Sequence, residues 1–334
     1  MRGIYVPKFG ASDVMECRDD LPEPVAGPSQ VVVQVHASGV NFAETRMRAG
    51  SYSGVSAPFV LGMESAGTVL RIGSDVDGFS IGERVFGRAR GSHAEEVVFD
   101  AEHLFRLPDR LSFDEGAAIP VGWLTAWHAL VTVARAGPGQ RVLIEAVGSS
   151  VGSAALRIAK WLGCWVAGTA STVDKAARAV REYGADAAYV YRSEDVAARV
   201  LADTDGHGAD VALMTIGQET AESTFAAMAM DGKVVMYGST GGRLVCFDLG
   251  IGSRNLQLLS MSISTSRTFL TETMPDFRAR AVPLFADGTF EPYVDCVLPL
   301  AQVGEAHRMI DARRHFGKIV LRVGPPEGLT GHER

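Results

Sequence analysis

The sequence predicts an α/β chain of two domains, a compact barrel-like β domain and a doubly wound domain of parallel strands covered by helices. Its 334 residues are long for one ordinary domain and comfortable for two. The first hundred or so residues carry short β-branched runs broken by turn residues, and from Pro120 onward strand and helix patterns alternate.

In the first part, Val31-Val32-Val33-Gln34-Val35, Ser65 to Leu70, Arg84-Val85-Phe86 and Glu95 to Phe99 read as strands. Gly, Pro, Asp and Ser punctuate them at 22–30, 73–78 and 87–92, the pattern of a small closed β structure. Trp123, Trp127 and Leu130 then recur at helical spacing. Arg141 to Ala146 is a nearly continuous apolar strand, followed by the turn Gly148-Ser149-Ser150-Val151-Gly152 and a helix with Ala154, Ala155, Ile158, Ala159 and Leu162 on one face. Strand 165–169, helix 173–183, strand 188–191, helix 195–201, strand 211–215, helix 221–230 and strand 233–237 continue the alternation. Apolar strands between helices imply a parallel sheet buried on both faces. After Leu256 the character is mixed, closing with a helix over 303–313 and a strand over 318–323.

Composition excludes several functions. A formal net charge of −7 offers no basic footprint for nucleic acid and no attraction to an anionic membrane. No stretch approaches the roughly 20 apolar residues that span a bilayer. The opening Met1-Arg2-Gly3-Ile4-Tyr5 lacks the apolar core of a signal peptide, so a cytoplasmic protein acting on a small molecule is expected. Cys17, Cys164, Cys246 and Cys296 are far apart, with no C-x-x-C pair for zinc or redox chemistry.

The turn Gly148 to Gly152 sits between a buried strand and an amphipathic helix, where glycines let backbone approach a pyrophosphate on the helix N-terminus. The same glycines also suit a tight strand-helix connection without a ligand. Dinucleotide sites for NAD carry Asp or Glu at the end of the second strand. Here that strand ends Gly168-Thr169-Ala170-Ser171-Thr172, and Lys175 and Arg178 follow. A cation without a carboxylate suits the 2′-phosphate of NADPH, although Lys175 and Arg178 also fit a solvated helix face.

Asn41 in Gly39-Val40-Asn41-Phe42-Ala43, the run Pro58 to Gly67, Ile81-Gly82-Glu83-Arg84-Val85, Leu124 to Leu130 and the closing Gly317 to Leu321 together resemble the zinc-independent quinone oxidoreductase branch of the medium-chain dehydrogenase/reductase superfamily. The resemblance covers nearly the whole chain. It implies a GroES-like catalytic domain (1–119) interrupted by a Rossmann cofactor domain (120–256), the tail (257–334) returning to the catalytic part. It further implies a cleft between the domains and a homodimer. Zinc enzymes of the superfamily carry Cys where Asn41 stands and Gly-His-Glu where Gly62-Met63-Glu64 stands, so no metal is expected. Without a Lewis acid, hydride addition to a quinone, enone or enoyl group is the natural chemistry.

By the same resemblance Asn41 lies at the nicotinamide ribose and Tyr52 donates a proton to the developing enolate, its alternative reading being a half-buried loop aromatic. Thr125, Gly148, Ser149, Ser150, Val151, Gly152, Ser171, Lys175, Tyr191, Gly238, Ser239 and Lys318 are expected around NADPH. Glu64 is expected to anchor an internal hydrogen bond, and His93 and His128 are read as structural. Three departures stand out. Ser149-Ser150 replaces a glycine pair, with left-handed strain expected if a serine must hold that conformation. Glu145 brings a negative charge toward the phosphates. Met214 stands where relatives often carry Asp. These leave open a cofactor-diverged member with a non-redox activity, or a non-enzymatic protein of the same fold.

Overall fold

The computed structural model describes residues 1–238, 240 and 251–323. In chain order its elements are β1 (Gly3–Val6), β2 (Glu16–Arg18), β3 (Gln30–Val40), α1 (Phe42–Arg48), β4 (Phe59–Val60), β5 (Glu64–Ile72), β6 (Arg84–Arg88), β7 (Glu96–Asp100), β8 (Leu104–Arg106), α2 (Phe113–Ala117) and α3 (Pro120–Trp127). They continue with β9 (Arg141–Ile144), α4 (Ser150–Trp161), β10 (Trp165–Ala170), α5 (Val173–Arg181), β11 (Ala187–Val190), α6 (Val196–Asp203), β12 (Ala209–Met214), α7 (Gln218–Ala226), β13 (Met228–Met236) and β14 (Gln257–Ser260). Last come α8 (Met274–Asp276), α9 (Val282–Ala286), β15 (Val294–Pro299), α10 (Val303–Asp311) and β16 (Lys318–Arg322).

The chain forms two compact units, Met1–Val121 with the chain from Arg278 onward, and Gly122–Phe277. In the first unit, β2-β1-β4 make a small antiparallel sheet, and β15-β16-β3-β5-β6-β8, with β7 also on β3, make a larger one. The long strand β3 alternates with its neighbours so that Val31, Val33 and Val35 enter a core with Ile4, Leu61, Phe99 and Ile319. The tail returns here through β16, antiparallel to β3 with Ile319 opposite Val40.

The second unit is a six-stranded sheet of order β11-β10-β9-β12-β13-β14, parallel throughout. Connections run outward from β9 in one direction and from β12 in the other. Such a reversal is the topological switch point, where doubly wound sheets open a crevice at the C-terminal ends of the strands. Leu143, Ala167, Ala212, Met214 and Phe225 fill the core beneath it. The helix expected from Trp123, Trp127 and Leu130 is α3, continued by a π-helical turn over His128–Val133, and all three residues are buried.

The boundary expected at residue 256 moves to Phe277. Gln257–Ser260 pairs in parallel with Lys233–Met236 as the outermost strand of the second sheet, its side chains mostly exposed. At four residues, with Leu258 and Leu259 but no alternation or flanking helix signal, it is too short a run to stand out in the sequence.

Candidate active site

In the first unit the end of β3 brings Asn41 to the start of α1, and β5 and β16 bring Glu64 and Lys318 beside it. Lys318 Nζ donates to Asn41 Oδ1 at 2.8 Å, to Glu64 Oε1 at 2.5 Å and to the Val40 carbonyl at 3.5 Å. Asn41 Nδ2 donates to Glu64 Oε1 at 2.7 Å. The Val121 amide donates to the other oxygen, Glu64 Oε2, at 2.6 Å. Glu64 is fully buried and Lys318 is 1% exposed, so the charges are viable only because each has the other and Asn41, the Val40 carbonyl and the Val121 amide take up their remaining hydrogen bonds. Gly39 makes room, since a Cβ there would come within 2.6 Å of Glu64 Oε1 and 2.5 Å of the Ala117 carbonyl.

Behind Asn41 lies a second buried pair. Glu44 Oε2 accepts from the Asn41 amide at 3.0 Å and contacts His93 Nε2 at 3.1 Å. Ser38 Oγ donates to the Glu64 carbonyl at 2.7 Å and lies 2.8 Å from His93 Nδ1. The serine's single proton is thereby used, so Nδ1 must donate to it, and the Nε2 contact also needs a proton. Burial, the largest influence, works to raise the Glu44 carboxyl, but the adjacent His93, the Asn41 amide and His307 together hold it below its ordinary value. Asn41 thus bridges the buried Lys318–Glu64 ion pair and the buried Glu44–His93 contact. The pattern Asn41-x-x-Glu44, a polar residue ahead of a helix with Glu three positions on, is the legible trace of this arrangement; Ser38 and His93 left none.

Tyr52 is half-buried and packs against the core of the first unit. It does not join the hydrogen bonds of Asn41. Its electrostatic neighbour is Arg88, the register partner of Glu64 across β5 and β6. Burial lowers the Arg88 guanidinium from its ordinary value, and Glu64 and Tyr52 work in the opposite direction. A separate cleft of about 690 Å³ in this unit is bordered by Asp75, Asp77, Asp100 and Arg278 and shares no residue with the Asn41 group.

In the second unit the turn Glu145–Gly152 runs from β9 to α4. Ser149 is the N-cap of α4 in extended conformation (φ −81°, ψ 166°), its Oγ accepting from the Gly152 amide at 3.0 Å. The strain expected at the serines is absent, because the left-handed residue is Ala146, at φ 50°. The first-turn amides of Ser150 and Val151 have no carbonyl of their own helix to bond. Gly152 lets α4 close onto the strand end, since a Cβ there would stand 2.4 Å from the Ala146 carbonyl. Gly148 lies in the same turn. Thr125 is buried on α3. Ser171 and Tyr191 follow directly on the paired ends of β10 and β11, Tyr191 donating its amide to the Ala170 carbonyl at 3.2 Å. Lys175 sits in the first turn of α5, its amide capped by Thr172 Oγ1. Thr169 Oγ1 is buried beside this edge and makes no hydrogen bond among the described residues. The arrangement fits a dinucleotide: an open twelve-residue helix terminus, a close-approach glycine and no carboxylate where the adenosine ribose would lie.

Glu145 does not face that terminus as a free charge. It is fully buried. Its carboxylate accepts from the Thr215 and Ile216 amides at 2.8 and 2.7 Å and from the Thr220 and Thr224 hydroxyls, both at 2.7 Å. The carboxylate is thus engaged by donors at the α7 side of the sheet, where the sequence suggested a bare charge facing the phosphates. Met214 is buried in the core, and the carboxylate at this sheet edge comes instead from Glu145 on the neighbouring strand. Gly238 follows β13, and Ser239 lies outside the described residues.

A GroES-like β unit interrupted by a doubly wound parallel unit is the fold of the medium-chain dehydrogenases/reductases. Residues 27–109 match the alcohol dehydrogenase GroES-like domain, and residues 183–321 match the family described as zinc-binding dehydrogenase. The second match does not include Asn41 or Met63, and among the described residues no group of three or more His, Cys, Asp or Glu side chains could hold a metal ion. A quinone oxidoreductase of Pseudomonas aeruginosa is 34% identical over 324 residues, covering 95% of this chain and 98% of the relative. A solved quinone oxidoreductase of Pseudomonas syringae superposes with a TM-score of 0.88 at 30% identity, covering 96% of this chain and 99% of that one. The Escherichia coli quinone oxidoreductase, solved in complex with NADPH, gives a TM-score of 0.86 at 28% identity over 97% of this chain and 100% of that one. The chain belongs to the quinone oxidoreductase family of oxidoreductases.

Proposed function

We propose that the protein is a metal-free, NADPH-dependent reductase that adds hydride to an activated carbon–carbon double bond or quinone, working as a cytoplasmic homodimer. The observation that carries the reading is Asn41, locked between the buried Lys318–Glu64 ion pair and the buried Glu44–His93 contact at the position where zinc enzymes of the superfamily place a thiolate. Among the described residues no helix is long and apolar enough to cross a membrane, and the homodimer rests on family membership alone.

NADPH would supply the hydride. The residues of this chain supply position and a proton. Both Asn41 Nδ2 and Lys318 Nζ are committed to internal acceptors, so Asn41 offers a ligand only its remaining Oδ1 lone pair, suited to accept from a ribose hydroxyl. Lys318, expected at the cofactor, is read as a positioning residue for Asn41, because its ammonium is buried and all its protons are directed inward. Tyr52 would donate to the oxygen of the reduced acceptor, with the Arg88 guanidinium favouring the negative charge that develops there. The first-turn amides of α4 would receive the pyrophosphate, with Thr125 and Gly238 toward its nicotinamide end. Ser171, Lys175 and Tyr191 would receive the 2′-phosphate; the Escherichia coli relative bound to NADPH supports that choice.

The test compares NADPH and NADH as reductants for a panel of quinones, enones and enoyl thioesters. NADPH is expected to be preferred, and Lys175→Ala to weaken NADPH while sparing NADH. A preference for NADH, or equal losses with both, would sink the cofactor assignment. Tyr52→Phe is expected to lower kcat at nearly unchanged KM.

A further inference from the structure

Glu145 is the first residue after β9, and its carboxylate reaches across the switch point to the turn that follows β12. It is held there by four donors, the amides of Thr215 and Ile216 and the hydroxyls of Thr220 and Thr224. Two successive backbone amides in a turn are a usual grip for an anion. Here that grip, in the turn just ahead of the α7 N-cap Gly217, is already filled from within. The residue after Glu145 begins the turn into α4, so the carboxylate joins the two strand ends that flank the crevice.

A third segment hangs from the same point. The Thr215 carbonyl accepts from the Thr240 amide at 2.8 Å and from Thr240 Oγ1 at 3.2 Å. Gly238 packs so closely that a Cβ there would lie 2.8 Å from Thr215 Oγ1. The Tyr237 amide donates to the Met214 carbonyl at 3.2 Å. Its phenol is pushed up by burial and then by Glu145, with Thr215 working in the other direction.

We infer that Glu145 is a cofactor-positioning residue. One internal anion fixes the turn before α4, the turn before α7 and the segment after β13 in a single arrangement, and so aligns the nicotinamide end of the dinucleotide with the pyrophosphate end. The inference rests on the nicotinamide-dinucleotide reading above. Its physical basis is the stiffness of a buried carboxylate with its donors in place: the turns before α4 and α7 cannot part without stranding a desolvated charge, and the segment after β13 follows them through its hydrogen bonds to the Thr215 carbonyl.

The two ends of the cofactor can be probed separately. Adenosine 2′,5′-bisphosphate carries the adenosine and 2′-phosphate but no nicotinamide, whereas NADPH carries both. Calorimetry with each ligand is run on the wild type, Glu145→Ala and Glu145→Gln, with thermal melts as a check of folding. Glutamine keeps an oxygen for the two amides and can donate to the threonine hydroxyls, so it serves where alanine fails to fold. The expected result is a loss of NADPH affinity of tenfold or more in Glu145→Ala and a smaller loss in Glu145→Gln, with the bisphosphate within about twofold of wild type in both. The blue-shifted emission of bound NADPH is expected to move back toward that of the free cofactor in step with the loss. Unchanged NADPH binding in a folded variant, or parallel losses of both ligands, overturns the positioning role while leaving the reductase reading intact. A wild type that binds neither ligand overturns both.

Discussion

Lys318 Nζ and Glu64 Oε1 stand 2.5 Å apart, reaching from β16 and β5 on either side of β3, 254 residues of sequence folded back to make one buried ion pair. The contact ties the last strand of the chain to the residue that orients Asn41, so the tail completes the site as well as the sheet.

Breaking such a pair from one side leaves a desolvated charge. Lys318→Met is therefore expected to lower the stability of the first unit by about 3–5 kcal/mol. Adding Glu64→Gln to it removes the stranded carboxylate while keeping an acceptor for the Val121 amide, and much of the loss is expected to return. Urea unfolding of the single and double variants checks this. A double variant no more stable than Lys318→Met would show that the cost lies in packing and not in charge.

The turn before α4 yields a prediction with its sign opposite to the one the serine pair alone suggests. Ser149 is an extended N-cap and Ala146 carries the left-handed backbone. Ala146→Gly is expected to stabilise by about 1 kcal/mol through relief of that conformation. Ser149→Ala is expected to destabilise by about 1 kcal/mol through loss of the cap, and Ser149→Gly by only a few tenths. Denaturant midpoints at constant m-value decide the order. A stabilised Ser149→Gly would mean the serine is strained after all.

What the sequence made legible were features with local causes. The parallel sheet followed from apolar strands spaced by amphipathic helices, and the cofactor turn from glycines between a buried strand and a helix. The network around Asn41 was legible only in part: Glu44 follows from its spacing to Asn41 at the helix start, whereas Ser38, Glu64, His93 and Lys318 are brought together by the folding of distant strands and loops, and a buried Glu and an exposed Glu read alike in a string of letters. Glu145 was misread for the same reason. Its proximity to the phosphate turn is a matter of sequence, but the four donors that absorb its charge come from 215 to 224. The edge strand Gln257–Ser260 escaped because four residues with two adjacent leucines give neither a strand nor a helix period.

Acid should expose a different weakness of the first unit. His307, on α10, is fully buried, with Nδ1 3.3 Å from Arg48 Nη1 and no partner for Nε2 among the described residues. Burial pushes its imidazole down from 6.5 to about 3; the charge of Glu44 works against the shift, and His93 and Arg48 add to it. The native histidine therefore stays neutral where the unfolded one takes up a proton. Its contribution to stability is complete above about pH 6.5 and falls by up to about 1.4 kcal/mol per pH unit as the pH drops toward 3. Glu44, also held below its ordinary value, acts in the same direction but only below about pH 4.5, and His103 and His128, likewise held down by burial, cancel between the wild type and a His307 variant compared over pH 7 to 5. His307→Gln retains an acceptor for Arg48 and cannot charge. The wild type is expected to lose about 2 kcal/mol more than this variant over that interval, measured as unfolding free energy in urea. Equal losses would show that His307 accepts its proton without leaving the fold.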